Sequence, residues 1–115
     1  MLLSYTNKTV YLASKSVDFR MSIDGLSSII QREAKDLHVH DGSIYVFYNH
    51  AKDKIKCLFW DRNGFVLYYK RLDKCKFKIK DMRENIENIT PEELEILLSG
   101  LHAQPSARLI EHKKG

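Results

Sequence analysis

Residues 40–77, HDGSIYVFYNHAKDKIKCLFWDRNGFVLYYKRLDKCKF, constrain the fold more than any other stretch. Runs rich in β-branched and aromatic residues alternate with turn signals. This pattern predicts strands at 43–49 and 54–60 and a third after Gly64. The linker His50–Asp53 makes the first turn. Asn63-Gly64 is the strongest two-residue hairpin signal in the chain, because both residues tolerate positive φ. With those two at the centre, Arg62 faces Phe65, Trp60 lies opposite Leu67, Leu58 opposite Tyr69, Phe59 opposite Tyr68 and Ile55 opposite Leu72. Large apolar groups then fall on both faces. Such a sheet either curls into a half-barrel or is covered by a helix on one side and another strand on the other.

The flanking segments supply the rest of one α+β domain. Residues 8–13 alternate as a short strand, with Val10 and Leu12 on one face. Residues 22–34 carry Ile23, Leu26, Ile29 and Ile30 at helical spacing, with Ser22 as N-cap. Gly25 inside that helix costs about 1 kcal/mol relative to Ala, which implies a close packing contact or a later helix start. Residues 76–80, KFKIK, read as an edge strand with Phe77 and Ile79 inward and Lys76, Lys78 and Lys80 outward. A second helix is signposted from Thr90. Pro91 sits at N1, Glu93 completes a Thr-x-x-Glu capping box, Leu94, Leu97, Leu98 and Leu101 form its buried face, and Gly100 ends it. The expected architecture is a mainly antiparallel, curved sheet of four or five strands with two helices. The domain spans 1–101, followed by a mobile basic C-terminal tail over 102–115.

Two cysteines, Cys57 and Cys75, suit free thiols in a reducing cytoplasm better than a disulfide framework. No apolar run reaches the roughly 20 residues that cross a bilayer, and the N-terminus lacks the pattern of a secretory signal. No Gly-rich phosphate loop, His-Glu-x-x-His or Cys-x-x-Cys occurs. His38 and His40 with Asp41 read as a surface loop rather than a metal site, and Asp18, Asp24 and Asp41 sit where Asp belongs for backbone reasons. The residues point to no catalytic group, cofactor or metal.

Charge is unevenly placed. Residues 51–80 hold ten basic side chains against three acidic ones, whereas 81–101 hold one basic against six acidic. Tyr48, Trp60, Tyr68 and Tyr69 interleave with Lys54, Lys56, Lys70 and Arg71. Cations that displace counterions from phosphate, beside aromatic faces that stack on bases, are what nucleic-acid binding needs. The same pattern is produced by core aromatics with a solvated cationic rim, or by a face that docks an acidic protein.

Three blocks resemble a known family. They are VYLASKSVDFRMSIDGLSSII (10–30), GSIYVFYNHAKDKIKCLFWDRNGFVLYYKRLDKCKF (42–77) and ITPEELEILLSGL (89–101). In order and spacing they are similar to TnpB, the second-open-reading-frame accessory protein of the sixty-six family of insertion sequences. That protein is unrelated to the RNA-guided nuclease of the same name. The resemblance spans about 8 to 101. It implies a bacterial mobile-element protein made beside a larger transposase, needed for efficient transposition and without assigned catalytic residues. Asp18, Arg20, Asp24, Lys54, Lys56, Asp61, Lys70 and Arg71 match the family's polar pattern. Tyr48 and His50 stand where Arg is frequent, and Cys75 where Gly is common.

The expectation is therefore a non-catalytic, cytoplasmic accessory protein of DNA transposition. It would bind the DNA phosphate backbone, or the transposase–DNA complex, through a basic hairpin surface. Arg20, Lys54, Lys56, Lys70, Arg71, Lys76 and Lys78 would meet phosphate, and Arg62 at the hairpin tip would reach a groove. The alternative is an interaction module that docks an acidic region of the transposase without touching DNA. Neither reading involves a membrane.

Overall fold

The computed structural model describes residues 7–80 and 85–99 and the backbone of 104 and 105. Its centre is a five-stranded open sheet. In chain order the strands are β1 (Val10–Leu12), β2 (Ile44–Tyr48), β3 (Lys54–Asp61), β4 (Gly64–Arg71) and, after a two-residue β5 (Cys75–Lys76), β6 (Glu87–Ile89). Spatially they run β4-β3-β2-β1-β6. All neighbours are antiparallel except β1 and β2, which run parallel because helix α1 (Ile23–Glu33) forms the crossover between them. The second helix, α2 (Pro91–Ser99), follows β6 directly. The fold is thus α+β with a mostly antiparallel sheet, as the strand count and helix signals predict.

Period-two alternation assigns the faces. Val10, Leu12, Ile44, Val46, Tyr48, Ile55, Cys57, Phe59, Tyr68 and Lys70 share one face, and Tyr11, Tyr45, Phe47, Lys54, Lys56, Leu58, Tyr69 and Arg71 share the other. Lys70 reaches the C-terminal turn of α2 from the first face, while Lys56 reaches the segment just ahead of α1 from the second. The C-terminal turn of α2 therefore lies over the first side and the segment leading into α1 over the second, and β2 is buried along its whole length. This is why both faces carry large apolar groups.

Helix α1 is amphipathic, burying Leu26, Ile29 and Ile30. A Cβ at Gly25 would come within 3.2 Å of the Met21 side chain, so the glycine marks a close contact. Helix α2 carries the expected capping box. The Thr90 amide donates to Glu93 Oε1 at 2.8 Å, and the Glu93 amide donates to Thr90 Oγ1 at 3.0 Å. Leu94 and Leu98 are buried and Leu97 is half-buried. Gly100, Leu101 and all of the tail except the backbone of Gln104–Pro105 lie outside the described residues.

Two expectations change. The hairpin turns at Arg62-Asn63, not at Asn63-Gly64, so Asp61 pairs with Gly64, Trp60 with Phe65, Leu58 with Leu67, Phe59 with Val66 and Ile55 with Lys70. The two-residue shift keeps every side chain on its predicted face but changes its partner. It lets Trp60 and Phe65 meet edge to face at 5.0 Å, with His40 4.6 Å from Trp60. That aromatic contact outweighs the local preference for Gly in the turn. Second, of the predicted 76–80 strand only Lys76 pairs, together with Cys75 before it, against β7 (Gln104–Pro105). The alternation nevertheless holds: Phe77 and Ile79 are buried, while Lys76, Lys78 and Lys80 are exposed. The sequence also held no signal for β6, which has one buried apolar residue, Ile89, and is held by pairing with β1 and by the Asn88 amide donating to the Val10 carbonyl.

Both cysteines are free thiols, and Cys57 is fully buried. Burial pushes its thiol well up from the ordinary range, and it pushes Tyr45 up to about 12, with Asp41 and Tyr11 adding to the effect. Both groups keep their protons longer when folded, so their contribution is complete at neutral pH and is lost as pH rises through the alkaline range. Lys56, lowered chiefly by burial, works in the opposite direction. The unfolding free energy falls above pH ~9 by about 1.4 kcal/mol per pH unit while the unfolded thiol alone ionises. Urea titrations across this range check it. Cys57→Ala flattens the first part of the slope, and a flat profile in the native chain would contradict the assignment.

Candidate functional site

The turn between β2 and β3 is built by Asn49. Its side-chain oxygen accepts from the Asp53 and Lys54 amides at 3.1 and 3.0 Å, and its Nδ2 donates to the Asp53 carboxylate at 2.7 Å. Lys52 in this turn takes a left-handed φ of 62°. The clamp starts β3 at Lys54, and the β3–β4 register sets Arg71 directly opposite. Opposed side chains lie about 5 Å apart at Cβ, where like charges repel. Neither Lys54 nor Arg71 has an ion-pair partner among the described residues. The Leu72 amide donates to the Asp53 carbonyl and the Phe77 amide to the Lys52 carbonyl, which bring 72–78 back against the same turn. Exposed Lys74, Lys76 and Lys78 therefore join Lys54 and Arg71 at one end of the sheet. Of the acids in this segment, Asp53 is engaged by Asn49 and Asp61 lies beside Arg62, while Asp73 is exposed.

Lys56, expected to face phosphate, is an interior residue. Only 8% of it is exposed, and its ammonium donates to the Phe19 and Met21 carbonyls at 2.8 Å each. It also lies 4.8 Å from the centre of the Phe19 ring and 5.6 Å from that of Tyr69. The chain leading into α1 is thus tied to the sheet by one lysine. Next to it, Arg20 forks onto Asp18 with contacts of 2.6 to 3.1 Å. The Arg20 hydrogen bonds hold the Asp18 carboxyl down to about 2, and both side chains remain in solvent. Lys70, on the opposite face, donates to the Leu98 carbonyl at 2.5 Å and so closes the C-terminal turn of α2.

The eight sequence-predicted cations therefore separate. Lys54, Arg71, Lys76 and Lys78 gather at one end. Arg20 follows Phe19, whose ring meets that of Tyr69, while Lys56 is an interior strut and half-buried Lys70 a strut to α2. Arg62 occupies the far tip, roughly 25 Å from Lys54 along β3. There it has a φ of 53° and is bracketed by an Asn63 amide to Asp61 carbonyl bond, a tight turn of a kind that is unusual for a residue with a side chain. One contributor, Lys74, was not singled out from sequence, because it lies in a loop without periodicity. Tyr69 was grouped with Tyr48, Trp60 and Tyr68, and nothing local marks it as the exposed one, whereas its neighbour Tyr68 is half-buried.

Among the described residues no three His, Cys, Asp or Glu side chains come together to hold a metal, so Asp18, Asp24 and Asp41 do not form a carboxylate cluster. No described helix is long and apolar enough to cross a membrane.

Comparison with known proteins agrees with the sequence blocks. The family model described as IS66 Orf2 like protein matches residues 8–108. The chain is 30% identical over 92 residues to the uncharacterized protein y4jC of Sinorhizobium fredii (strain NBRC 101917 / NGR234), covering 80% of this chain and 78% of that one. It is 32% identical over 101 residues to the uncharacterized protein y4hO of the same strain, covering 88% and 87%. No solved structure matches.

Proposed function

This chain belongs to the IS66 Orf2-like family, and from that premise we propose that it assists transposition as a non-catalytic factor that holds DNA phosphates on the basic end of its sheet. The observation that carries the reading is the Lys54–Arg71 pair. Two cations are held opposite each other in fixed register, with no acidic partner among the described residues, beside exposed Lys74, Lys76 and Lys78. Such a concentration opposes folding and is relieved by a polyanion. Arg20 extends the surface past Tyr69, and Arg62 is far enough away to meet a separate stretch of the same DNA. Lys56 and Lys70 act by holding the fold.

Fluorescence anisotropy with labelled duplex, titrated with salt, tests this. Three to five phosphate contacts give an affinity that drops roughly 40- to 500-fold between 50 and 200 mM salt. Absence of DNA binding, combined with salt-sensitive binding to the purified transposase, would instead establish the acidic-docking role.

A further inference from the structure

We infer, resting on the DNA reading above, that the preferred ligand is single-stranded or unpaired DNA and that Tyr69 is the platform on which a base stacks. Tyr69 is 53% exposed, although the five residues before it in β4 and Lys70 after it are all half-buried. Its ring is braced. Phe19 meets it edge to face at 6.0 Å and 76°, and the Lys56 ammonium lies 5.6 Å from its centre. A ring held in place loses little freedom when a base settles on it. The cations surround it in the required way. Arg71 is two residues farther along the same face, about 7 Å away, and Lys54 is diagonal to it across the ladder. Arg20, oriented by its fork on Asp18, follows directly after the bracing Phe19. Phosphate contacts alone need no exposed ring, and in a duplex the base faces are covered by their neighbours. An aromatic face set among cations is the arrangement that takes a splayed strand.

Labelled oligothymidylate and a blunt duplex of equal length, at matched salt, test the inference by anisotropy. The native chain binds the single strand about 10-fold or more tightly than the duplex. Tyr69→Leu, which keeps bulk but not the π face, loses roughly 5- to 100-fold on the single strand and little on the duplex, while Tyr69→Phe retains the preference. A second readout does not depend on the leucine variant folding. Trp60 is the chain's one tryptophan, so Tyr69→Trp in a Trp60→Phe background gives a single fluorophore at the platform, quenched when oligothymidylate saturates it. Equal affinity for both DNAs, or an unquenched indole at saturation, overturns the stacking role and leaves phosphate binding standing. No binding to either DNA overturns both.

Discussion

Lys56→Ala unfolds at a temperature roughly 10–20 °C below the native chain, a loss of about 2–3 kcal/mol, with the salt dependence of DNA binding unchanged among the molecules that remain folded. The substitution removes a donor shared by the Phe19 and Met21 carbonyls and the cation between the Phe19 and Tyr69 rings. Hydrogen bonds from a charged donor are individually worth about 1.5–3 kcal/mol, and part of the gain is offset by the cost of keeping an ammonium out of water. The net effect is therefore smaller than two such bonds. Lys54→Ala, two residues earlier on the same strand, changes the melting temperature by no more than a few degrees, because Lys54 is half-buried and bonded to no described carbonyl. Differential scanning fluorimetry of the two variants side by side decides the matter. If Lys56→Ala melts with the native chain, the segment from Asp18 to Met21 does not hang on that lysine.

Arg71→Glu moves stability and DNA affinity in opposite directions. The native ladder places Arg71 opposite Lys54, and reversing one charge turns repulsion into a cross-strand ion pair. The expected stabilisation is about 0.3–1 kcal/mol, read as a higher urea midpoint. DNA affinity at low salt falls about 10- to 100-fold, because one phosphate contact becomes a repulsion and its neighbour is neutralised. Reversing both residues, Lys54→Glu with Arg71→Glu, brings back two like charges. Stability returns to about the native value while DNA binding weakens further. This pattern separates a polyanion site from a surface that is merely basic. A solvated rim gives the stability changes without the affinity changes, and Arg71→Glu binding DNA as well as the native chain would refute the assignment.

How much could be read beforehand depended on how local each determinant was. The α2 start was legible because Thr90, Pro91 and Glu93 act on one another within a single turn. The in–out alternation of Lys76 to Lys80 was legible for the same reason, although the ladder expected there is confined to Cys75–Lys76. The hairpin was legible as a hairpin, yet its turn was misplaced by one residue. Asn-Gly is a good local choice, but Trp60, Phe65 and His40 reward a different register, and His40 comes from a loop that no window around the turn includes.

The cations show the division most clearly. Family membership, the α+β class, the strand faces and the concentration of positive charge between residues 51 and 80 all follow from residue order, because periodicity, capping and net charge are properties of the chain itself. Which lysines are available to a polyanion does not follow. Lys54 and Lys56 lie on the same face of the same strand, and their immediate sequence surroundings are alike. One meets Arg71 at the end of the ladder; the other meets two carbonyls delivered by a segment more than thirty positions earlier. An ammonium's role is set by what packs over it, and that is decided only when the chain ahead of α1 closes against the sheet.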